Sequence, residues 1–463
     1  MSVPELLPSP AEVIRSGLCI GCGSCTTLEW SATMDWDENG ELKPVGNPRW
    51  LEDRDESFAA LCPFSPLAAN EDAIAAKRFA WARETDGLIG RYRAAYVGHV
   101  AEDDYRMSGS SGGMVSWIAA ELLRRGDVDG VAHVVPQAPQ SGRLFAYRIS
   151  RSVAAVQQGA KSRYYPVDLA EILSEIVATP GRYAIVGIPC FIKAVNLQRR
   201  NDPVLAERIT HTIGLFCGHM KSARLVDSFA LQLDAAPENV AAIDYRLKDP
   251  DRPANWYTAN LTLKDGSARS QDWFHLVEGD WGSGFFMNSA CNFCDDVVAE
   301  TADIALGDAW VEPYSSDGRG TNVVVVRSPR MEALVEGAIT AGRLALEHVD
   351  DAFVRETQAA GLRQRREGLA YRLARARLPV QPKKRVAPSR EIPVRRKLIY
   401  RMRQAISRWS HPIFRLSRSA GAPQVYMAWG RAAQSAYHGL AYSRGRLGKW
   451  VDRLIDPRKA GRD

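Results

Sequence analysis

The residues that can do chemistry in this chain are its eight cysteines. Three of them read Cys19-Ile20-Gly21-Cys22-Gly23-Ser24-Cys25, and Cys62 follows after 36 intervening residues, directly before Pro63. A tight C-x2-C-x2-C loop can wrap three corners of a 4Fe–4S cubane, and one remote thiolate closes the fourth. Gly21 and Gly23 let the backbone turn sharply and aim N–H groups at the sulfurs. Structural zinc is the competing reading, but it favours two short Cys hooks or added histidines, and no histidine precedes His99. The wider first gap of a radical S-adenosylmethionine loop is absent.

Cys190, Cys217, Cys291 and Cys294 form a second set of four. Cys190 and Cys217 each follow an apolar strand-like run, at the end of the strand where open α/β sheets place ligands. Cys291-Asn-Phe-Cys294 supplies two more thiols at the spacing of a metal hook. The eight therefore divide into two 4Fe–4S ligand sets with none left over, and a zinc site or reactive thiols remain the alternative for the second set.

Two loops complete the candidate chemistry. Ser110, Ser111, Gly112 and Gly113 precede a helical stripe, so their N–H groups and hydroxyls can cradle a phosphate backed by the helix dipole. The loop matches neither the dinucleotide fingerprint nor a Walker A loop. Lys161, Ser162, Arg163 and Tyr164 place cations beside aromatics, a composition that suits a flavin or adenine ring with its phosphates. A flexible connector and a solvated basic turn are the bland alternatives. No His/Asp pair stands out as a proton donor, so no catalytic residue is identified. His219 and Lys193 are the nearest titratable groups, each expected to be structural.

Alternating elements must hold these residues. Strands are expected at 93–100, 130–135, 182–188, 212–216 and 302–308, with a helix at 114–125. That helix carries Val115, Ile118, Ala119, Leu122 and Leu123 on one face. A hairpin is expected around Lys264-Asp265-Gly266-Ser267.

Composition fixes the class. With 46% hydrophobic and 25% charged residues over 463 positions, the chain is expected to be globular. No apolar run approaches the ~18 residues of a membrane span. The N-terminus lacks the basic-then-apolar pattern of an export signal, so a cytoplasmic protein with reduced thiols is expected. From Tyr371 onward, 23 Lys and Arg face 4 Asp and Glu, a charge of +19, which leaves −13 for the first 370 residues. A basic helix at 395–409 carries Leu398, Met402, Ile406 and Trp409 on one stripe, with Trp429 and Trp450 as further anchors. It suits either contact with the inner face of a membrane or a partner, or packing on the acidic body. Nucleic acid is not expected.

The ordered motifs resemble two families. Cys19 to Cys25 with Cys62-Pro63 is similar to a single-cluster bacterial ferredoxin. Residues 15–335 resemble the family of beta subunits of the hydrogenases and dehydrogenases that use the deazaflavin coenzyme F-420. The resemblance rests on Ser111-Gly112-Gly113, Lys161 to Tyr165, Gly187-Ile188-Pro189-Cys190, Leu215-Phe216-Cys217, Cys291-x2-Cys294 and Ala302 to Trp310. It departs at Arg163, where the family often has Lys, and at Ile188, where it often has Thr.

The resemblance implies an α/β fold with a mixed, largely parallel sheet core and a ferredoxin-like iron–sulfur segment before it; the helical basic tail after it is read from its charge and has no counterpart in the family. The expected segments are 1–85 (iron–sulfur), 90–180 (flavin-binding), 181–340 (second cluster) and 341–463 (tail). It also implies two 4Fe–4S clusters and FAD. The two polar loops would line the flavin, and Cys190, Cys217, Cys291 and Cys294 would hold the inner cluster. The expected partners are ferredoxin or another redox subunit, together with a small organic electron acceptor. The expected function is an FAD-dependent iron–sulfur oxidoreductase. A non-catalytic electron-transfer subunit, a ferredoxin-dependent reductase of a polysaccharide or tetrapyrrole pathway and a zinc-stabilised interaction protein are the alternatives.

Overall fold

The structure is a computed structural model that describes residues 7–455. The outermost residues of the first and last expected segments, including the start of the stretch read for export, lie outside the described residues. Two hairpins come first, β1 (Thr33–Trp36) with β2 (Leu42–Val45) and β3 (Glu84–Asp86) with β4 (Gly90–Tyr92). The body then supplies β5 (Ala94–Val100), β6 (Gly130–Pro136), β7 (Phe145–Ser150), β8 (Tyr183–Gly187) and β9 (Ile209–Leu215). After them come β10 (Val240–Leu247), β11 (Thr258–Leu263), β12 (Ala268–Asp272), β13 (Ile304–Asp308), β14 (Asn322–Val326) and β15 (Leu344–Val349).

Eight of these strands form one sheet in the order β15-β5-β14-β13-β9-β8-β6-β7. The fold is mixed α/β, with the parallel part confined to the four central strands β13, β9, β8 and β6. These central strands read as near-continuous apolar runs because both faces are covered. On one face Trp117, Ile118 and Leu122 of the helix Met114–Arg124 pack with Leu334 and Val335 of the helix Pro329–Thr340. On the other, Phe191 and Val195 of the helix Pro189–Asn201 pack with Ile185 and Ile209. The expected hairpin is present as β11–β12 in a three-stranded antiparallel meander.

The basic helix is longer than expected, Val394–Ser419, and it packs on the body. Its buried face runs through Ile399, Arg403, Ile406, Ser410 and Phe414. The expected stripe is rotated: Ile406 is buried, Leu398 and Met402 are half-buried, and Trp409 stays 53% exposed. Specific bonds set this rotation. Phe286 N–H donates to Ser410 Oγ at 3.0 Å, Arg403 donates to Gly282 O at 2.7 Å, and Phe414 meets Phe286 edge-on at 5.3 Å. Trp429 is not a free anchor either, since it packs edge-on against Phe285 at 5.8 Å, whereas Trp450 is exposed. Among the described residues no helix is long and apolar enough to cross a membrane.

Candidate functional site

The first four cysteines assemble at the N-terminal segment. Cys19, Cys22, Cys25 and Cys62 border one small enclosure of about 30 Å³ with Ile20, Phe58 and Phe64. Gly21 and Gly23 both adopt positive φ, +78° and +75°, and a Cβ on Gly21 would stand 2.4 Å from Leu42 O, so only glycine passes under the β2 strand there. Cys62 caps the helix Glu56–Leu61, whose preceding turn is fixed by Asp55 accepting from Phe58 N–H at 2.9 Å. Lys43 reaches across from the hairpin to donate to Cys19 O at 2.8 Å and pairs with Glu41 at 2.8 Å. The segment is seated on the core through Leu169 N–H to Cys22 O, 2.9 Å, and Gln198 Nε2 to Ser24 O, 2.7 Å.

The second four meet at the carboxyl ends of β8 and β9. Because these strands are parallel neighbours, Cys190 and Cys217 emerge on the same side. The turn Ser289–Phe293 brings Cys291 and Cys294 to them. The four border an enclosure of about 10 Å³ with Ile20, Phe64, Ile188, Met220, Asp296 and Arg365. Ile20 and Phe64 therefore separate the two sets as a shared wall.

In both sets the thiols stand around a gap, and no three His, Cys, Asp or Glu side chains among the described residues close on one point tightly enough for a single metal ion. Burial pushes every thiol up, Cys62 and Cys291 to about 11. For Cys190, burial and then the charges of Cys294, Cys217 and Cys291 act in the same direction. Four buried thiols that oppose one another's ionisation need a cationic core to become four thiolates, and a 4Fe–4S cubane is such a core. The donor sets therefore fit two cubanes.

Beside the inner set lies the main cavity, about 280 Å³. It occupies the carboxyl ends of the parallel strands, bounded by Gly187 of β8, Leu215 of β9 and Asp308 of β13. Ser110, Ser111, Gly113, Lys161, Ser162, Arg163 and Tyr164 all line it. Gly112 does not. It lies beneath the loop, its carbonyl accepting from Val100 N–H at 2.9 Å, and a Cβ there would stand 2.8 Å from Gly98 O.

The two expected loops are one structure. Ser162 N–H donates to Ser110 Oγ at 2.8 Å, and Ser111 Oγ donates to Thr321 O at 2.9 Å. The Ser110 hydroxyl thus holds the two loops together, and the Ser111 hydroxyl ties its loop to the start of β14. Gly113 begins the helix Met114–Arg124 in the left-handed conformation, Asn322 Oδ1 accepts from the Met114 N–H at 3.2 Å, and Val115 and Ser116 of the first turn line the cavity. Arg163 lies over the Phe145 ring at 4.9 Å, and its buried Nε has no partner among the described residues. The first turn of this helix, Lys161 and an under-used Arg163 beside Tyr164 and Trp281 fit a flavin nucleotide: anion donors at one end and aromatic walls at the other.

Several site residues were not legible in the sequence. Trp281 stacks on His219 at 4.3 Å and tilts over Tyr164 at 4.7 Å, forming the aromatic wall from a stretch with no motif. Lys221 is buried with its ammonium 4.7 Å from the Trp281 ring and donating to Phe285 O. Burial and then Arg403 push its pKa down to about 7. Arg246, paired with Asp308 at 3.2 Å, closes another side. Arg365 enters the inner enclosure from the C-terminal segment. Its nearest signal was the charge contrast between basic tail and acidic body. Of the titratable groups singled out, Lys193 is engaged with Glu71 at 3.1 Å, and His219 lines the cavity with Nδ1 3.2 Å from Arg403.

Comparison with known families decides the affiliation. Residues 95–174 match the N-terminal part, and residues 181–352 the C-terminal part, of the beta subunit of coenzyme F-420 hydrogenase/dehydrogenase. The chain belongs to this family. The family comprises electron-transfer oxidoreductase subunits, and the chain's similarity to individual relatives is modest. The beta subunit of the coenzyme F-420 hydrogenase of Methanococcus voltae is 23% identical over 273 residues, 57% of this chain and 87% of that protein. The coenzyme F-420-dependent sulfite reductase of Methanocaldococcus jannaschii is 22% identical over 73% of this chain and 49% of its own. A subunit of the F(420)H(2) dehydrogenase of Methanosarcina mazei is 20% identical over 65% of this chain and 80% of its own. Among solved structures, a chain of the F-420-reducing [NiFe] hydrogenase complex from Methanosarcina barkeri aligns with TM-score 0.47 and 14% identity, covering 62% of this chain and 94% of that one.

Proposed function

We propose that this member of the family is an FAD-dependent oxidoreductase with two 4Fe–4S clusters, which passes electrons between a one-electron redox partner and an organic two-electron acceptor. A deazaflavin coenzyme is the first candidate acceptor, since the relatives' names carry it. The observation that carries the reading is the order of three enclosures. The outer cysteines share Ile20 and Phe64 with the inner cysteines. The inner cysteines share Ile188, Cys217 and Met220 with the cavity.

When bound, the clusters supply one-electron relay and the flavin two-electron chemistry, which the protein tunes by burial and hydrogen bonds to sulfur. The chain's own residues bind and orient. Lys161 and the first helical turn after Gly113 face the phosphate end, and Tyr164 and Trp281 wall the ring end. Ile188 and Met220 stand between cavity and inner thiols, and Cys217 borders both. The partner at the outer set is a ferredoxin or another redox subunit.

The experiment is anaerobic reduction of the full holoprotein by a low-potential ferredoxin while flavin absorbance is followed. Bleaching in wild type and its loss in Cys22→Ser with flavin still bound is the expected result. Bleaching at the wild-type rate in Cys22→Ser would overturn the relay.

A further inference from the structure

The C-terminal segment contributes a charge to the inner enclosure that neither family-matched region contains. Arg365 ends the helix Ala359–Arg365, beyond residues 95–174 and 181–352. It is 4% exposed and borders the same gap as Cys190, Cys217, Cys291 and Cys294. Its guanidinium donates to Cys291 O and Gly218 O, both at 2.5 Å, so it bridges the two segments that carry three of the four thiols. Those acceptors are main-chain carbonyls, and among the described residues Arg365 pairs with no carboxylate. A buried guanidinium without a counter-charge is costly, so an anion must answer it.

The other charges near the inner set balance differently. Lys384 and Arg385 meet Asp295 at 3.7 and 3.2 Å, and Arg385 also bonds Glu300 at 2.6 Å. Asp296 borders the enclosure, its carboxylate accepting from Val298 and Glu300 N–H at 2.9 Å. Arg372, also buried, donates to Asn292 O and Gln364 O at 2.7 Å and likewise pairs with no carboxylate among the described residues. At the outer set the corresponding cation, Lys43, is neutralised by Glu41. The outer thiols rely on backbone N–H groups, such as those of Phe64 and Ser65 toward Cys62, which are dipoles and not whole charges.

We propose that Arg365 selectively raises the reduction potential of the inner 4Fe–4S centre, which makes the C-terminal segment a redox-tuning element. The proposal rests on the reading of the inner cysteines as a cluster ligand set. A cluster held by these cysteines would take up one electron from one held by the outer cysteines, which would be oxidised by one electron, and no bond would form or break. The electron adds one negative charge, so a fixed cation at the gap stabilises the reduced form more than the oxidised form.

The test is an EPR-monitored redox titration of the full holoprotein, with Arg365→Met and Arg365→Lys beside wild type. The expected result is a fall in the inner centre's reduction equilibrium of at least tenfold in Arg365→Met, or about 59 mV for a one-electron couple. The outer centre stays unmoved, and Arg365→Lys retains most of the wild-type value. An unmoved inner potential, or equal shifts at both centres, would overturn the tuning and leave the ligand assignment standing. A wild-type protein without an inner-centre signal overturns both. Should Arg365→Met hold no inner iron, Arg372→Met carries the same test, with a smaller shift in the same direction expected and no shift contradicting it.

Discussion

Met220 N–H donates to Cys291 Sγ at 3.3 Å, and Met220 also lines the main cavity. One backbone residue thus touches the inner thiol set and the wall of the candidate flavin site. Outward from it, the path runs from cavity to inner thiols, across Ile20 and Phe64, to the outer thiols.

Because the outer set is built on its own N-terminal segment, its loss should leave the inner set and the cavity intact. Cys25→Ser is expected to strip about half of the iron and to leave FAD in place, measured by iron and flavin assay. Loss of all iron together with FAD would argue against separate sites.

Arg163 and Lys161 should matter for flavin retention and not for iron. Arg163→Ala removes a charge-assisted donor worth about 1.5–3 kcal/mol, so FAD affinity should fall roughly ten- to a hundredfold, as read by fluorescence titration. Lys161 has φ +92°, so Lys161→Gly relieves backbone strain while removing the charge. A loss of affinity there with unchanged melting temperature would assign the effect to charge. Unchanged affinity in both variants would remove this loop from the site.

Gly112 is a packing requirement. Gly112→Ala places a methyl group 2.8 Å from both Asn322 Oδ1 and Gly98 O. Overpacking of this kind costs about 1–3 kcal/mol, visible as a lower midpoint in thermal or urea unfolding. A midpoint equal to wild type would show that the loop shifts freely.

Acid should destabilise the fold through buried histidines. His411, bonded to Ser222 Oγ at 3.0 Å, has its pKa pushed down to about 4 by burial, and His133 is likewise held near 4 by burial. The unfolded chain binds protons that the folded chain refuses, so their contribution is complete above about pH 6.5 and is lost as pH falls toward 4. Each contributes a slope of about 1 kcal/mol per pH unit in that window. His411→Gln should flatten the slope of stability against pH, and an unchanged slope would contradict the assignment.

Much of the site is legible in the sequence. Strand ends at Cys190 and Cys217 can be read from apolar runs, and the glycines at 21 and 23 from the turn a thiolate loop needs. Lys161 to Tyr164 can be read from cations set beside aromatics. What escapes is long-range. Trp281 and Lys221 are a tryptophan and a lysine in unremarkable stretches, and tertiary packing alone brings them to the cavity. Arg365 lies 71 residues beyond Cys294 in chain order, and only docking of the tail places it at the inner thiols. The buried face of Val394–Ser419 also escapes. Hydrophobic periodicity chooses Leu398, Met402 and Trp409, whereas Arg403, Ser410 and His411 are buried because each finds a polar partner on the body.

Two 4Fe–4S sets beside one flavin site should hold about eight irons and about one FAD per chain. Anaerobic purification of the full chain with iron, zinc and flavin quantification measures both. Zinc in place of iron would contradict this arrangement, as would iron without flavin.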